Sequence, residues 1–512
     1  MTGYQRTKNA TRNIVFGLLL KIVQIVVPFF MRTAMIYLLG IEYLGLNSLF
    51  TSILQVLNLA ELGVGSAMTF SMYKPIVEED NTTICALMNL YKVYYRIIGG
   101  IVLVLGLCLL PFIPNLIAGN VPVNINIYVL YILNLSVTVL SYWLYAYKNS
   151  ILFAHQRVDI TSKVVLLADS IKYVFQLFVL FVFKNYYYYI IVMLLTQIIT
   201  NIITAYMSER LYPKYKPSGK LTAEVKRNIN NRIRDLFTSK LGAVIVNSAD
   251  TIVISAYLGL TILAVYQNYY FILNSIIGFV AVIFTSCTAG IGNSLVVESK
   301  EKNYKDLKEI TFIISWICGF CSIALLCLYQ PFMNLWVGEK LMLDFSIVIC
   351  LCVYYFIYEI NALLNLYKDA AGLWHEDRYR PLITAGSNLI LNLILVKVMG
   401  LYGVILSTIL STIFIGMPWL IHNLFTILFK MNAKVYIKRL IYYIVITIIG
   451  ATITYKLTML IDGVGIVSMI LKGISCFIIS NTIFYICYCK MDEFMSVKDI
   501  LNKVLVGVRR IK

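Results

Sequence analysis

Fourteen stretches long and apolar enough to cross a bilayer follow one another along the chain, and they limit its fold more than any other feature. Crossing about 30 Å of hydrocarbon takes roughly 20 helical residues. Runs of that kind fall at 13–39, 44–73, 84–113, 126–147, 160–183, 187–208, 236–258, 262–292, 310–335, 345–367, 379–399, 401–429, 436–460 and 464–489. They are continuously apolar and do not alternate every second residue, so they read as helices, which satisfy their own backbone groups in lipid, and not as barrel strands. With 60% hydrophobic and 13% charged residues among 512, no soluble catalytic domain fits. The fold expected is an all-α integral membrane protein of about 14 transmembrane helices.

A net charge of +18 could suggest a nucleic-acid partner, but the basic residues sit in short segments between apolar runs. With the N-terminus placed in the cytoplasm, the inner segments collect 32 Lys and Arg, and the outer ones hold only Lys184, Lys340, Lys397 and Lys456. That asymmetry predicts two cytoplasmic ends, and one miscounted span would destroy it. The basic start at Arg6, Lys8 and Arg12 is not followed by a small-residue cleavage site, so the first run reads as an uncleaved helix.

The longest hydrophilic stretch runs from Glu209 to Asp235 and carries eight basic residues. It divides an N-terminal six-helix lobe (1–208) from a C-terminal one (236–430), with 209–235 as a basic cytoplasmic linker. An internal repeat supports two pseudo-symmetric six-helix lobes. Tyr147, Lys148 and His155 recur as Tyr367, Lys368 and His375 at an offset of 220, and Lys21 and Gly40 recur as Lys240 and Gly259 at an offset of 219. An even number of spans separates the copies, so the repeat is parallel, a layout that suits two bundles rocking about a central site. Residues 431–489 supply two additional C-terminal helices. In 490–512, Phe494, Val497, Ile500, Val504 and Val508 at helical spacing predict an amphipathic cytoplasmic tail.

Seven basic residues fall within the apolar runs: Lys21, Arg32, Lys92, Arg96, Lys172, Lys240 and Lys472. Each costs about 2.5–3.5 kcal/mol at a helix centre, so each needs an interior partner or a wet cavity. The acids singled out are Glu61, Asp169 and Asp250, candidates for ion coupling. The basic surplus points to an anionic cargo such as a phosphate or pyrophosphate, held by Arg32, Lys92, Arg96, Lys172, Lys21 and Lys240 in a cationic central cavity. Lys92 and Arg96, four residues apart, share a helix face. The plainer alternatives are that Lys21, Lys240 and Lys472 snorkel to the interface, and that Asp169 and Lys172 pair at i, i+3.

Neither cofactor nor metal is expected. The eleven cysteines lie in apolar runs without His or acidic partners, and read as small packing residues. His155 and His375 read as loop-packing or headgroup-contacting groups. Pro28 and Pro418 mark helices that bend.

Arg12-Asn13, then Leu39-Gly40-Ile41-Glu42-Tyr43-Leu44-Gly45-Leu46 and Leu59-Ala60-Glu61-Leu62-Gly63-Val64-Gly65, form a recognisable opening. It resembles the polysaccharide transporters, of the Wzx flippase type, in the multidrug/oligosaccharidyl-lipid/polysaccharide exporter (MOP) superfamily. The resemblance implies two lobes, helices one to six and seven to twelve, around a cationic cavity. It also implies movement of undecaprenyl-pyrophosphate-linked oligosaccharide from the inner to the outer leaflet of the bacterial cytoplasmic membrane, for O-antigen, capsule or similar polymers. Implied partners are that lipid-linked substrate, membrane lipids, and polysaccharide polymerase and glycosyltransferases. Many such flippases have twelve helices, whereas the lipid II flippases of the superfamily have fourteen, which makes a lipid II-type cargo the main alternative. A multidrug exporter on the same scaffold would favour acidic cavity residues, and a membrane polymerase or glycosyltransferase would need a sizeable charged outer loop. The basic surplus and the short, nearly uncharged outer connections argue against both.

Overall fold

The computed structural model describes residues 3–119, 121–122, 125–463 and 465–499, without the side chains of 3–15, 18, 239, 240, 243, 247 and 289. Among them every regular element is helical, and two compact units form, Met1–Ala264 and Val265–Lys512.

The first unit opens with α1 (Gly3–Leu38), which contains Pro28, and α2 (Ile41–Leu57). α2 gives way to a 3-10 turn, Asn58–Glu61, before α3 (Val64–Val77). α4 (Asn81–Leu109) begins where the Asp80 carboxylate accepts from the Thr83 N–H at 3.0 Å and the Thr82 hydroxyl at 2.6 Å. Those hydrogen bonds hold the Asp80 carboxyl down at about 2. There follow α5 (Ile127–Trp143), α6 (Asn149–Ala154), α7 (Val158–Phe183), α8 (Tyr186–Leu211) and α9 (Ala223–Leu258). Asn126, Asn185 and Thr222 cap the starts of α5, α8 and α9 with side-chain oxygens, supplying acceptors to amides that the helix leaves unpaired. α1 packs chiefly on α7, α7 on α8, and α4 on α5, while α9 packs on α2 and α3.

Along α7, Leu167, Ile171, Val174, Phe178 and Phe181 form an exposed apolar stripe at helical spacing. A helix of a water-soluble protein turns such a stripe inward; here lipid is its solvent.

The second unit contains α10 (Leu260–Val297, whose first turn belongs to the first unit), α11 (Lys300–Val337), α12 (Phe345–Ala370), α13 (Trp374–Asp377), α14 (Arg380–Ser411), α15 (Met417–Asn423), α16 (Lys434–Thr458) and α17 (Ile466–Tyr488). π-helical turns at Thr412–Gly416 and Leu424–Leu428 flank α15. The two C-terminal helices are fastened to α11 through Phe312, Ile323 and Cys327 against Tyr443, Cys476, Phe484 and Tyr488. Residues 492–499 are helical, and Phe494 and Val497 pack against this cluster, Phe494 stacking on Trp316 at 6.1 Å. The rest of the expected amphipathic tail, 500–512, lies outside the described residues.

Eleven described helices are long and apolar enough to cross a membrane, or twelve if the bent pair Ile127–Trp143 and Ala146–Ala154 is one span. Two features account for the difference from fourteen. Trp374–Leu428 counts as one candidate span, but Gly400 at φ 56° and ψ −135° interrupts α14, separating the runs expected at 379–399 and 401–429. Only a residue without Cβ adopts that turn cheaply. The apolar part of α9, Val244–Leu258, is shorter than a full span because the helix begins as a charged segment. Each of the fourteen predicted runs is therefore helical, in a multi-pass membrane protein.

Candidate functional site

The Leu59–Gly65 segment owes its shape to Gly63, whose φ of 87° lies in the left-handed region. A Cβ there would stand 2.6 Å from Leu236 Cβ and 3.2 Å from the Ile233 carbonyl oxygen of α9. The break this creates between α2 and α3 turns Glu61 toward α4. There the Tyr95 hydroxyl donates to Glu61 Oε1 at 3.1 Å, and the Tyr91 hydroxyl donates to Tyr95 at 2.5 Å. Tyr142 of α5 packs edge-on against Tyr95 with centroids 5.4 Å apart. Tyr91 and Tyr95 are buried and one turn apart, so this face of α4 is a hydrogen-bonded tyrosine ladder ending on a carboxylate.

Replacing Tyr95 by phenylalanine removes the donor to Glu61 and the acceptor of Tyr91. The expected cost is about 1–3 kcal/mol, the usual penalty for orphaning a buried polar group. It is checked as a fall in the thermal midpoint of the detergent-purified protein, larger for Tyr95→Phe than for Tyr91→Phe.

Lys92 and Arg96 occupy the neighbouring stripe of α4, Lys92 half-buried and Arg96 exposed. The Trp143 indole donates to the Arg96 carbonyl at 3.2 Å, tying α4 to α5 at this level. Neither cation has a carboxylate partner among the described residues. Arg32 of α1 is half-buried within electrostatic reach of the Tyr189 hydroxyl of α8. Tyr189 stacks on Tyr186, whose hydroxyl donates to Asn47 at 3.2 Å. Arg32 and the Lys92–Arg96 pair thus stand in different helix pairs of the same unit.

Lys172 and Asp169 bond to each other at 2.6 Å, both side chains 18% exposed, so the alternative of i, i+3 pairing is the arrangement present. Lys21 is exposed on α1. Asp250 is half-buried on α9 and is not without a partner. The Lys240 side chain lies outside those described.

The repeated Tyr-Lys pairs are buried structural anchors. Lys148 bonds Glu209 at 2.5 Å, and Lys368 bonds Asp369 at 2.5 Å and approaches Asp377 to 3.7 Å. Each repeat also buries a carboxylate about ten residues after its lysine. Asp159 takes Arg157 at 2.9 Å and Lys163 at 3.5 Å, and Asp377 takes Arg380 at 2.7 Å. His155 is buried with Nδ1 2.9 Å from the Ile151 carbonyl and its ring 4.1 Å from that of Tyr212, and burial pushes its imidazole pKa down. His375, its repeat counterpart, is exposed.

Three further features were not singled out from the residues alone. Glu359, the fifteenth residue of α12, is fully buried. Asn388 and Asn392 meet Ser407 and Thr408 across the Gly400 turn in a buried knot, with Asn388 donating to Thr408 at 2.8 Å and Ser407 to Asn392 at 2.5 Å. The third is an apolar groove of about 890 Å³ in the second unit, between α12, α15 and α16 and lined by Phe356, Pro418, Ile437 and Ile444 with Lys456 at one end. The i, i+4 asparagines facing a Ser-Thr pair were a signal open to pattern reading. The groove had none.

No family model matches this sequence, and no curated protein does. Solved structures do. The lipid II flippase MurJ in an inward closed conformation superposes with a TM-score of 0.67 at 20% identity, covering 92% of this chain and 99% of that one. An inward-facing MATE-family multidrug resistance transporter of the MOP superfamily gives 0.58 at 14% identity, covering 80% of this chain and 96% of that one. The MATE transporter VcmN of Vibrio cholerae gives 0.55 at 14%, covering 81% and 95%. The chain shares its fold with these flippase and multidrug-transporter structures. At these identities the likeness concerns backbone architecture, and the roles of individual side chains rest on the contacts described above.

Proposed function

We propose that this chain is a flippase that moves an undecaprenyl-pyrophosphate-linked oligosaccharide from the inner to the outer leaflet of the bacterial cytoplasmic membrane by alternating access, for cell-surface polysaccharide synthesis. The observation that carries the reading is the pair Lys92 and Arg96, two cations one turn apart inside a membrane-crossing helix with no carboxylate partner among the described residues. Positive charge left unpaired there is stabilised by an anion, and a pyrophosphate offers oxygens to both groups. Arg32 is a third donor in the same unit, and Lys21, Lys172 and Lys240 are assigned auxiliary places in the headgroup path.

The apolar groove of the second unit suits a polyprenyl tail, since it offers hydrocarbon contact over most of its wall. Glu61, with its tyrosine ladder, and Asp250 are the carboxylates assigned to ion coupling, and Asp169 acts through Lys172. Both termini are cytoplasmic in this reading, and the polymerase and glycosyltransferases of the same polymer are the expected partners. A lipid II-type cargo is the second reading, favoured by the 99% coverage of MurJ.

The test is complementation. This gene is expressed in strains lacking either an oligosaccharide flippase or a lipid II flippase, and the strain rescued identifies the cargo class. In the rescued strain, Lys92→Ala and Arg96→Ala are each expected to lower flipping about tenfold, the equivalent of about 1.4 kcal/mol. Full activity of the double variant at wild-type protein level would remove the anion site.

A further inference from the structure

The second unit holds a carboxyl group that the reading above does not use. Glu359 sits near the middle of the span Phe345–Ala370, its side chain is fully buried, and neither carboxylate oxygen has a hydrogen-bond donor among the described residues. The groups that face it are uncharged: the thiols of Cys318 and Cys321 from α11, and the hydroxyls of Tyr355 and Tyr358 on its own helix. Cations on the packed elements are engaged or turned away. Arg380 of α14 bonds Asp377 and Asn365, while Lys397 of α14 and His422 of α15 are exposed and make no ion pair with Glu359. The acids on α11 lie toward its N-terminal start, where Lys302 pairs with Asp306 and Lys305 with Glu309.

An ionised carboxylate enclosed by thiols, phenols and hydrocarbon, with no cation and no donor, is among the costliest arrangements a protein can hold, and such a group neutralises instead. We propose that Glu359 is a proton-binding site, occupied by one proton in this conformation and emptied only when α11 and α12 part enough for water to reach it. The proton enters from water onto a carboxylate oxygen and leaves to water, so nothing else is consumed. Occupancy is thereby coupled to the packing of α11 on α12, whatever the cargo. This makes Glu359 a carrier of driving force distinct from Glu61 and Asp250.

The test uses the purified full-length protein in detergent and reads protonation, so its failure is separate from failure of the complementation above. Infrared spectra at pH 7 are expected to show a protonated-carboxyl C=O band that disappears in Glu359→Gln and survives in Glu61→Gln. Wild-type protein should keep the band when sodium is added, and its thermal midpoint should fall from pH 6 to pH 9. That sign follows because the buried neutral acid binds a proton that the unfolded chain has already lost at those pH values. Glu359→Gln should show a flatter profile. If Glu359→Gln does not fold, Glu359→Asp decides, a shifted acid band supporting the assignment. A band unchanged by these substitutions, a band lost on adding sodium, or parallel midpoint profiles for wild type and Glu359→Gln would overturn it.

Discussion

Asp377→Ala is expected to destabilise the second unit by about 3–5 kcal/mol, the range for removing one partner of a buried ion pair. The Asp377 side chain is 2% exposed and accepts from Arg380 Nε at 2.7 Å and Nη2 at 2.8 Å, with Lys368 at 3.7 Å. Arg380 and Lys368 are themselves only 8% exposed. Without the carboxylate, the buried Arg380 guanidinium keeps only Asn365, at 2.8 Å, among its described contacts, and Lys368 is left with Asp369. Asp377→Asn, which preserves shape and acceptor but not charge, should lose roughly half as much. The thermal midpoint, read by the reactivity of the buried cysteines as they become exposed, checks both variants. A drop equivalent to less than about 1 kcal/mol in Asp377→Ala would show that the loop is held by its backbone and not by this charge cluster.

Gly63→Ala is the second large effect, expected at about 2–5 kcal/mol. Two independent penalties combine. A left-handed backbone costs a residue with Cβ about 1–2 kcal/mol, and forcing an extra methyl into a packed contact costs about 1–3. The geometry supplies both, with φ at 87° and the new Cβ 2.6 Å from Leu236 Cβ. Leu236→Gly in the same chain should relieve the overlap and leave the strain, so a double-mutant cycle separates them. If the pair recovers nothing, α3 and α9 do not approach as closely as described. The same substitution should also weaken the proposed flipping activity beyond its effect on stability, since Gly63 sets the break that turns Glu61 onto Tyr95.

Much of the architecture was legible because bilayer physics acts on runs of residues and not on individual contacts. Every helix has to hold its own backbone bonds and present apolar side chains to lipid, so length and apolarity alone locate it. Even the turn between the runs at 379–399 and 401–429 was marked, since Gly400 falls between them and interrupts α14. The i, i+3 spacing of Asp169 and Lys172 likewise allowed their pairing to be weighed in advance, because both ends of that contact lie on one helix.

Contacts between helices were another matter. Lys148 and Lys368 stood out in the sequence only as a repeat among the inner-segment charges, yet both are buried in ion pairs, one with Glu209 from another helix. Arg32, Lys92 and Arg96 looked equivalent as intramembrane cations. The structure puts Arg32 beside Tyr189 and the α4 pair beside the Glu61 ladder, and it closes Lys172 onto Asp169. Glu359 passed unremarked because one acid in an apolar run has the same pattern whether it faces a partner, a cavity or nothing.

By itself the sequence determined that this is a helical membrane protein, where its fourteen helical runs lie, that a Tyr-Lys and His pattern recurs at an offset of 220, and that it carries more intramembrane cations than acids. Those properties depend on local composition and spacing, and the bilayer tests them segment by segment. Tertiary structure alone decided which charges are neutralised, that Gly63 seats α3 against α9, that Glu359 is buried without a donor among the described residues, and that α12, α15 and α16 enclose an apolar groove. Such facts depend on which faces of distant helices meet, and hydropathy carries almost no information about rotation once a helix is apolar on all sides.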